Sequence, residues 1–142
     1  MEDNQKMIFL KLLRQNSRKI KKEVFSLMNN EMFNNSQINL ILHLNSDQGR
    51  PLNIISKIVQ VQKSNLTTMV NSLEGIDVVK RERSSIDRRV IFLKLTDKGK
   101  QIKEKLNVEY EKNLSIILKD MTKEEIREAI RILEIIKDKI WG

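Results

Sequence analysis

The stretch that most constrains this fold is residues 51–95, where helical spacing gives way to strand alternation. Between residues 63 and 74, apolar side chains recur at i, i+3, i+4 and i+7, which predicts a helix with one buried face. Val78–Arg83 and Val90–Leu95 then alternate in the manner of half-buried strands. Pro51 suits the first position of an earlier helix, where its missing N–H is harmless. The stretch therefore predicts two helices joined by a tight turn and followed by a β-hairpin.

The outer face of the second predicted helix carries short hydrogen-bonding side chains and only one charge. An ordinary solvated helix face would carry Glu and Lys instead. Short donors and acceptors suit a helix that enters a major groove about 12 Å wide and meets base edges. We therefore predict a DNA recognition helix, and the alternative is a polar face exposed without a ligand. The predicted contact residues are Lys63, Ser64, Asn65, Thr67, Thr68 and Asn71.

The loop between the two strands is polar and basic, and it ends in Asp87-Arg88-Arg89. Arg fits the narrow, electronegative minor groove. The alternative is a solvated hairpin tip in which an Asp–Arg pair only stabilises the turn. An exposed pair contributes ~0–1 kcal/mol, so stability alone gives little reason for it. The predicted contact residues of this hairpin are Arg81, Arg83, Asp87, Arg88 and Arg89.

The charge of the chain indicates an anionic partner. The net charge is +8 over 142 residues, and by count it is +5 in residues 2–22, +4 in residues 51–95 and only +1 in residues 96–142. A concentrated basic charge is typical of proteins that bind nucleic acid or an acidic membrane surface. The chain has no Cys and one His, so we expect no metal, no cofactor and no enzyme activity.

Long helical patterns flank the central stretch. We predict one helix over residues 4–30, another from 97 to about 119, and a last one that begins after Thr122. Thr122 and Glu125 fit a capping box. The last helix is apolar over more of its circumference than a one-sided surface helix needs. These apolar positions pack either within one subunit or between two, and the pattern favours an interface between subunits.

Two shorter helices complete the predicted lobe. The first spans residues 37–46, with Ser36 as its N-cap. Its predicted buried side consists of Ile38, Ile41, Leu42 and Leu44. The second follows Pro51, and its predicted apolar side consists of Leu52, Ile54, Ile55, Ile58 and Val59. We expect Gln60-Val61-Gln62 to form the tight turn, with Val61 in the core.

The location of the protein is predicted from its hydropathy pattern. No apolar run approaches the ~18 residues of a membrane span. The polar start MEDNQK does not fit a signal peptide. We therefore expect a cytoplasmic protein with no membrane partner.

Together these residues resemble the MarR (multiple antibiotic resistance regulator) family of winged helix-turn-helix transcription factors. The likeness is most specific in LTTMVNSLE (66–74) and VVKRERSSIDRRVIFLKLTDKGK (78–100). Within the latter, the pattern consists of Asp87, Arg88, Arg89, Leu95, Thr96 and Gly99. The resemblance implies a mainly α (α+β) fold formed by a single domain over residues 1–142. It implies a winged-helix DNA-binding lobe at 37–95 and helical dimerisation regions at 4–30 and 97–141.

The resemblance also implies a function. Family members are homodimeric, sequence-specific regulators of double-stranded DNA, commonly repressors, and many release DNA when a small-molecule effector binds. Arg89 matches the family's wing-tip arginine, and Asp87 matches the residue that orients it. The resemblance implies that Arg88 contacts a phosphate. A two-fold dimer predicts a pseudo-palindromic operator with half-sites ~10 bp apart. The alternative is a winged-helix architectural or protein-interaction module without sequence-specific DNA readout.

The sequence departs from the family pattern in two respects. Asp77 occupies the position after the recognition helix where the family usually has Gly. Asp tolerates left-handed backbone better than most residues, so we expect the turn to form. The family's thiol-sensing branch uses a cysteine, and this chain has none, which excludes peroxide sensing by that route.

Overall fold

The computed structural model describes residues 2–142, with side chains from Asn4 onward. This part of the chain forms six α-helices and three short β-strands, so the prediction of a mainly α fold is confirmed. In order they are α1 (Glu2–Ser26), α2 (Asn35–Leu42), β1 (Arg50–Pro51), α3 (Leu52–Val59), α4 (Lys63–Gly75), β2 (Val79–Arg83), β3 (Ile91–Leu95), α5 (Asp97–Ile117) and α6 (Lys123–Trp141).

The chain divides into two compact units. One is Phe25–Glu111, which we call the lobe, and the other joins the chain up to Val24 with Lys112–Gly142, which we call the helical unit. The lobe has a hydrophobic core of its own, to which α2, α3, α4, β2, β3 and α5 all contribute. The side chains in this core that are fully shielded from solvent include Leu40, Ile41, Leu44, Val70, Leu73, Val78 and Leu93. Burial of each such Leu or Ile side chain stabilises the fold by roughly 1.5–3 kcal/mol.

The sheet of the lobe is antiparallel and has the strand order β1-β3-β2. Val79 pairs with Leu95 and Arg81 with Leu93, as expected for the predicted hairpin. The strand β1 was not predicted, because two residues are too few to show an alternating pattern. Its approach to β3 requires Gly49, since a Cβ there would lie 2.9 Å from the Cβ of Phe92.

The predicted bounds of α1 and α2 were wrong by a few residues. The first helix ends at Ser26, not at residue 30, because the Oδ1 atom of Asn30 accepts hydrogen bonds from the backbone N–H groups of Met32 and Phe33, both at 2.9 Å. Such local bonds compete with a helix. The N-cap of α2 is Asn34, not Ser36, and Asn34 forms a capping box with Gln37.

The helix α2 also ends at Leu42, four residues before the predicted residue 46. The backbone N–H groups of His43 and Leu44 bond to the carbonyls three residues back, at 3.0 and 3.2 Å, so the last turn tightens and stops. The predicted buried side is correct for Ile38, Ile41 and Leu44, while Leu42 is partly buried against the core. Lys103 of α5 fixes this end, because its ammonium donates to the Leu44 carbonyl at 2.6 Å.

The predicted apolar side of α3 was partly wrong. Ile55 and Val59 are buried, but Ile54 and Ile58 are 41% and 37% exposed. The helix has only eight residues, and the face that packs on the core includes positions 55 and 59, so positions 54 and 58 turn away from it. Pro51 is the N-cap, one residue before its predicted place. The turn at 60–62 is confirmed, with Val61 packed against the core.

The helical unit contains most of α1, the C-terminal end of α5 and all of α6. The predicted capping box at the start of α6 is confirmed, since Thr122 and Glu125 exchange hydrogen bonds of 3.1 and 2.9 Å. No residue of α6 is buried. In the part of the chain that the structure describes, no helix has both the length and the apolar character of a membrane span.

Candidate nucleic-acid interface

The helix α4 presents the predicted polar face to solvent. Leu66, Val70 and Leu73 are buried under it, while all six predicted contact residues are exposed. The hydroxyls of Thr67 and Thr68 donate to the carbonyls of Lys63 and Ser64 at 3.0 and 3.2 Å. In this rotamer the two hydroxyl oxygens face solvent as acceptors. Lys63 is the first residue of the helix, followed by Ser64 and Asn65.

The turn between α3 and α4 sets the direction in which α4 begins. Gln60 adopts left-handed backbone, with φ of 55° and ψ of 45°, and ends α3. Ser56 then bonds twice to Val61: its carbonyl accepts from the Val61 N–H at 3.2 Å, and its hydroxyl donates to the Val61 carbonyl at 3.1 Å. These bonds make the turn a defined corner of the helix-turn-helix motif.

Arg81 of β2 connects the hairpin to α4. Its Nη1 atom donates to the carboxylate of Glu74 at 2.7 Å, and its Nη2 atom donates to Oδ1 of Asn71 at 2.8 Å. The Arg81 side chain is only 26% exposed. The guanidinium charge is therefore balanced within the protein, and the recognition helix and the hairpin are joined by side chains.

The hairpin loop, residues 84–90, is held by side-chain bonds from Arg83 at the end of β2 and from Ser84. Arg83 donates from Nη1 to the Arg88 carbonyl at 2.9 Å. The hydroxyl oxygen of Ser84 accepts from the N–H groups of Ile86 and Asp87, both at 3.2 Å. These contacts close the loop and leave the side chains of Arg88 and Arg89 exposed at its far end.

The predicted pair of Asp87 and Arg89 is present at the loop. Arg89 donates from Nε and Nη2 to the two carboxylate oxygens of Asp87 at 3.2 and 3.3 Å, and its backbone N–H donates at 3.0 Å. These bonds lower the pKa of the Asp87 carboxyl below its usual value of 3.8, and the side-chain bond has the largest effect. The Arg89 side chain is 91% exposed although it is paired, so its guanidinium is oriented and still accessible to a ligand.

A cleft beside the hairpin was not predicted from the sequence. It has a volume of about 290 Å³ and lies where the starts of α3 and α4 meet the loop end of the hairpin. Lys63 and Arg89 both line it, together with Leu52, Asn53, Val90 and Ile91. Asn53 is a polar candidate contact absent from the predicted set, and its only signal in the sequence is its position just after Pro51.

The join between α4, the hairpin and α5 explains the Leu95-Thr96…Gly99 pattern. Asp77 has a φ of 62°, so the expected left-handed turn is confirmed. Thr96 donates from its hydroxyl to the Asp77 carbonyl at 2.5 Å and accepts from the Gly99 N–H at 3.0 Å, which makes it the predicted N-cap of α5. A Cβ at Gly99 would lie 2.0 Å from the Val78 carbonyl oxygen, so only Gly fits.

In the described part of the chain, no three His, Asp or Glu side chains are close enough together to hold a metal ion. Two cations on the hairpin are instead paired with Glu82, which bonds Lys94 at 2.9 Å and Lys80 at 3.6 Å. The bond from Lys94 lowers the pKa of Glu82. Lys63 of α4 and Arg88 and Arg89 of the loop tip remain exposed to solvent.

Comparison with known proteins gives a family match over most of the chain. Residues 1–106 match the family described as transcriptional regulator SarA/Rot. The chain is 28% identical over 85 residues to the HTH-type transcriptional regulator MgrA of Staphylococcus aureus, a match that covers 58% of this chain and 56% of MgrA. The chain thus spans little more than half the length of the curated relatives it matches.

Solved structures share the fold. MarR of E. coli has a TM-score of 0.76 at 19% identity, covering 89% of this chain and 94% of MarR. FabT of Streptococcus pneumoniae, solved in complex with DNA, has a TM-score of 0.63 at 23% identity, covering 95% and 96%. At these identities the likeness shows a common winged-helix fold.

Proposed function

Since this chain belongs to the SarA/Rot family of transcriptional regulators, we propose that it binds double-stranded DNA sequence-specifically as a homodimer. The resemblance to MarR-type winged-helix regulators is confirmed by the shared fold. The relatives and structural neighbours are transcriptional regulators rather than enzymes. FabT has this fold and was solved with DNA, and we extend DNA binding of that kind to the present chain.

The observation that carries this proposal is the pairing of two exposed surfaces in the lobe. The polar face of α4 has the short side chains that base edges accept in the major groove. The hairpin, or wing, carries an oriented Arg89 suited to the minor groove. Arg81 joins the two elements, so both surfaces can meet one duplex together.

The dimer proposal is supported by the apolar surface of the helical unit. Exposed large apolar side chains cluster on α1 and α6, and this is far more than the scattered singles of a monomer surface. They include Met7, Ile8, Phe9, Leu10 and Leu12 of α1, and Ile130, Ile132, Leu133, Ile135, Ile140 and Trp141 of α6. A second copy is the occupant we propose, because a two-fold contact covers the same faces on both chains.

The homodimer sets the form of the operator. Two lobes related by a two-fold axis match a pseudo-palindrome with half-sites ~10 bp apart. We propose that the bound dimer represses transcription from that site, in the cytoplasm, where regulator and DNA must meet. Release by a small-molecule effector completes the proposal and rests on the MarR resemblance.

Selection from a random duplex library tests sequence-specific binding directly. We expect an inverted repeat to be enriched, with base preferences that change when Asn65, Thr67 or Thr68 is replaced. If no motif is enriched, the proposal fails and an architectural or protein-interaction role takes its place. The affinity for DNA should fall steeply with salt, because phosphate contacts release counterions.

The replacement Arg89→Ala tests the wing. We expect it to weaken operator binding about tenfold or more at ~150 mM salt, because the oriented guanidinium is lost from the interface. Lys80→Ala is the matched control, since it removes an exposed cation of β2 that is paired with Glu82. Fluorescence anisotropy measures the affinities, and circular dichroism checks the fold. Unchanged affinity of Arg89→Ala would exclude the wing from the interface.

A further inference from the structure

The contact between Arg81 and α4 has a consequence for what α4 can recognise. The guanidinium of Arg81 lies between two side chains of α4, with Glu74 at 2.7 Å and Asn71 at 2.8 Å. Asn71 is exposed on the predicted contact face, whereas the Arg81 side chain is only 26% exposed. Asn71 thus lies on the predicted contact face of α4, while the Arg81 side chain is more shielded from solvent.

The chemistry of arginine fixes the orientation of the Asn71 amide. A guanidinium has only donors, so the atom of Asn71 that it meets must be the oxygen. The two N–H groups of that amide are then directed away from Arg81. The threonine hydroxyls on the same face differ, because a hydroxyl hydrogen can rotate between partners. The hydrogen-bonding character of the Asn71 amide is therefore set before any ligand arrives.

We propose that Arg81 is a positioning residue that presents Asn71 to DNA as a hydrogen-bond donor. A donor pairs with acceptors in the major groove, and guanine presents two of them, O6 and N7, whereas adenine presents only N7 and thymine only O4. The usual bidentate contact of Asn with adenine needs the amide to accept and donate together. The oxygen already accepts from a cation, so adenine would have to share or displace Arg81. This inference rests on the proposed sequence-specific DNA binding.

The charge balance separates this role from a phosphate contact. Glu74 neutralises the guanidinium, and both donor groups that the structure describes are bonded to side chains of α4. A phosphate contact would add about 0.9 to the salt slope of binding for each phosphate neutralised. A positioning residue adds nothing to that slope. Loss of Arg81 should therefore change which base is preferred and leave the salt dependence as it is.

The test compares four proteins: wild type, Arg81→Ala, Asn71→Ala and the double variant. Base preference comes from random-duplex selection and salt slope from affinity titrations. We expect wild type to prefer guanine over adenine about tenfold or more at one position of each half-site, because guanine presents two acceptors and adenine one. Arg81→Ala should reduce that preference to within about twofold, and it should have no further effect when Asn71 is already Ala. Lys80→Ala, the control on the same strand, should keep the preference.

The outcomes separate a failure of this inference from a failure of the proposed DNA binding. If wild type selects no motif, the proposed function fails. If wild type selects a motif and Arg81→Ala lowers the salt slope by about 0.9 per lobe without changing the motif, Arg81 is a phosphate contact and the inference is overturned.

A DNA-free measurement guards against a variant that folds poorly. Lys cannot reproduce the forked guanidinium, so Arg81→Lys should shift the side-chain amide resonance of Asn71 in the free protein. Lys80→Ala should leave that resonance in place. An unmoved Asn71 resonance in Arg81→Lys would also overturn the inference.

Discussion

Two residues with left-handed backbone stand at the ends of the recognition helix. Gln60 precedes α4 with a φ of 55°, and Asp77 follows it with a φ of 62°. Left-handed backbone costs roughly 1–2 kcal/mol for residues other than Gly, and less for Asp. The sequence predicted the conformation of Asp77, because the family places Gly there. It could not predict that of Gln60, because Gln has no turn preference and the strain is imposed by the packing of α3 and α4.

Glycine substitutions test the join at the base of the wing. Gly99→Ala should lower the free energy of unfolding by at least about 3 kcal/mol, because its Cβ would overlap the Val78 carbonyl oxygen. Gly75→Ala is the matched control: a Cβ there has no described atom within 4 Å, and Ala suits a helix better by about 0.5–1 kcal/mol. Urea denaturation followed by circular dichroism measures both. Equal stability of the two variants would contradict the crowding at Gly99.

At the scale of elements, sequence pattern was sufficient to place α4 and the hairpin. The inward positions Leu66, Val70 and Leu73 repeat with helical spacing, and the hairpin alternates with period two. The bonding of Arg81 and Arg83 could not be predicted, because their partners lie on other elements or across the loop. Arg81 and Arg83 look equivalent to Arg88 and Arg89 in the sequence, but they bond to α4 and to the loop backbone.

The wing has a defined response to acid. Bonds from Arg89 lower the pKa of Asp87 below 3.8, so its ionised form is favoured in the folded protein. The bond between Asp87 and Arg89 stabilises the wing fully above the pKa that Asp87 has in the unfolded chain. This stabilisation is lost as the pH falls through the lower pKa that Asp87 has in the folded protein. Between pH 5 and 8 this carboxylate should therefore not change DNA binding.

Carbon NMR of the Asp87 carboxyl checks this response. The titration midpoint should lie below 3.8 in wild type. In Arg89→Ala the midpoint should rise, because the side-chain bond, which lowers the pKa most, is lost while the backbone bond persists. A wild-type midpoint at or above 3.8 would mean that the pair does not form in solution.

At the scale of the whole molecule, the lobe and the helical unit differ in the share of their apolar side chains that is buried within a single chain. The lobe encloses its Leu and Ile side chains, whereas α6 buries none. The sequence predicted the breadth of the apolar surface on α6 but not which helix residues are covered within one chain, since that depends on packing between elements. The same limit explains Ile54 and Ile58, which were predicted as buried and are exposed.

Charged substitutions test the proposed homodimer. Leu10→Asp and Leu133→Asp place a carboxylate on the exposed apolar faces of α1 and α6, where a second copy would have to desolvate it. We expect wild type to sediment as a dimer at micromolar concentration and both variants as monomers with helical circular dichroism intact. Arg127→Asp, on the polar side of α6, is the control and should stay dimeric. A monomeric wild type would reject the dimer.

The uncovered faces of α1 and α6 also imply a particular dose response. If only the dimer binds an operator, the fraction of chains that is active depends on the total concentration of the protein. Below the dissociation constant of the pair, the active species grows with the square of the chain concentration. A twofold change in synthesis would then change operator occupancy about fourfold at low occupancy. In the proposed homodimer, these apolar faces make the cell's supply of the protein a sharper signal than a monomeric regulator could give.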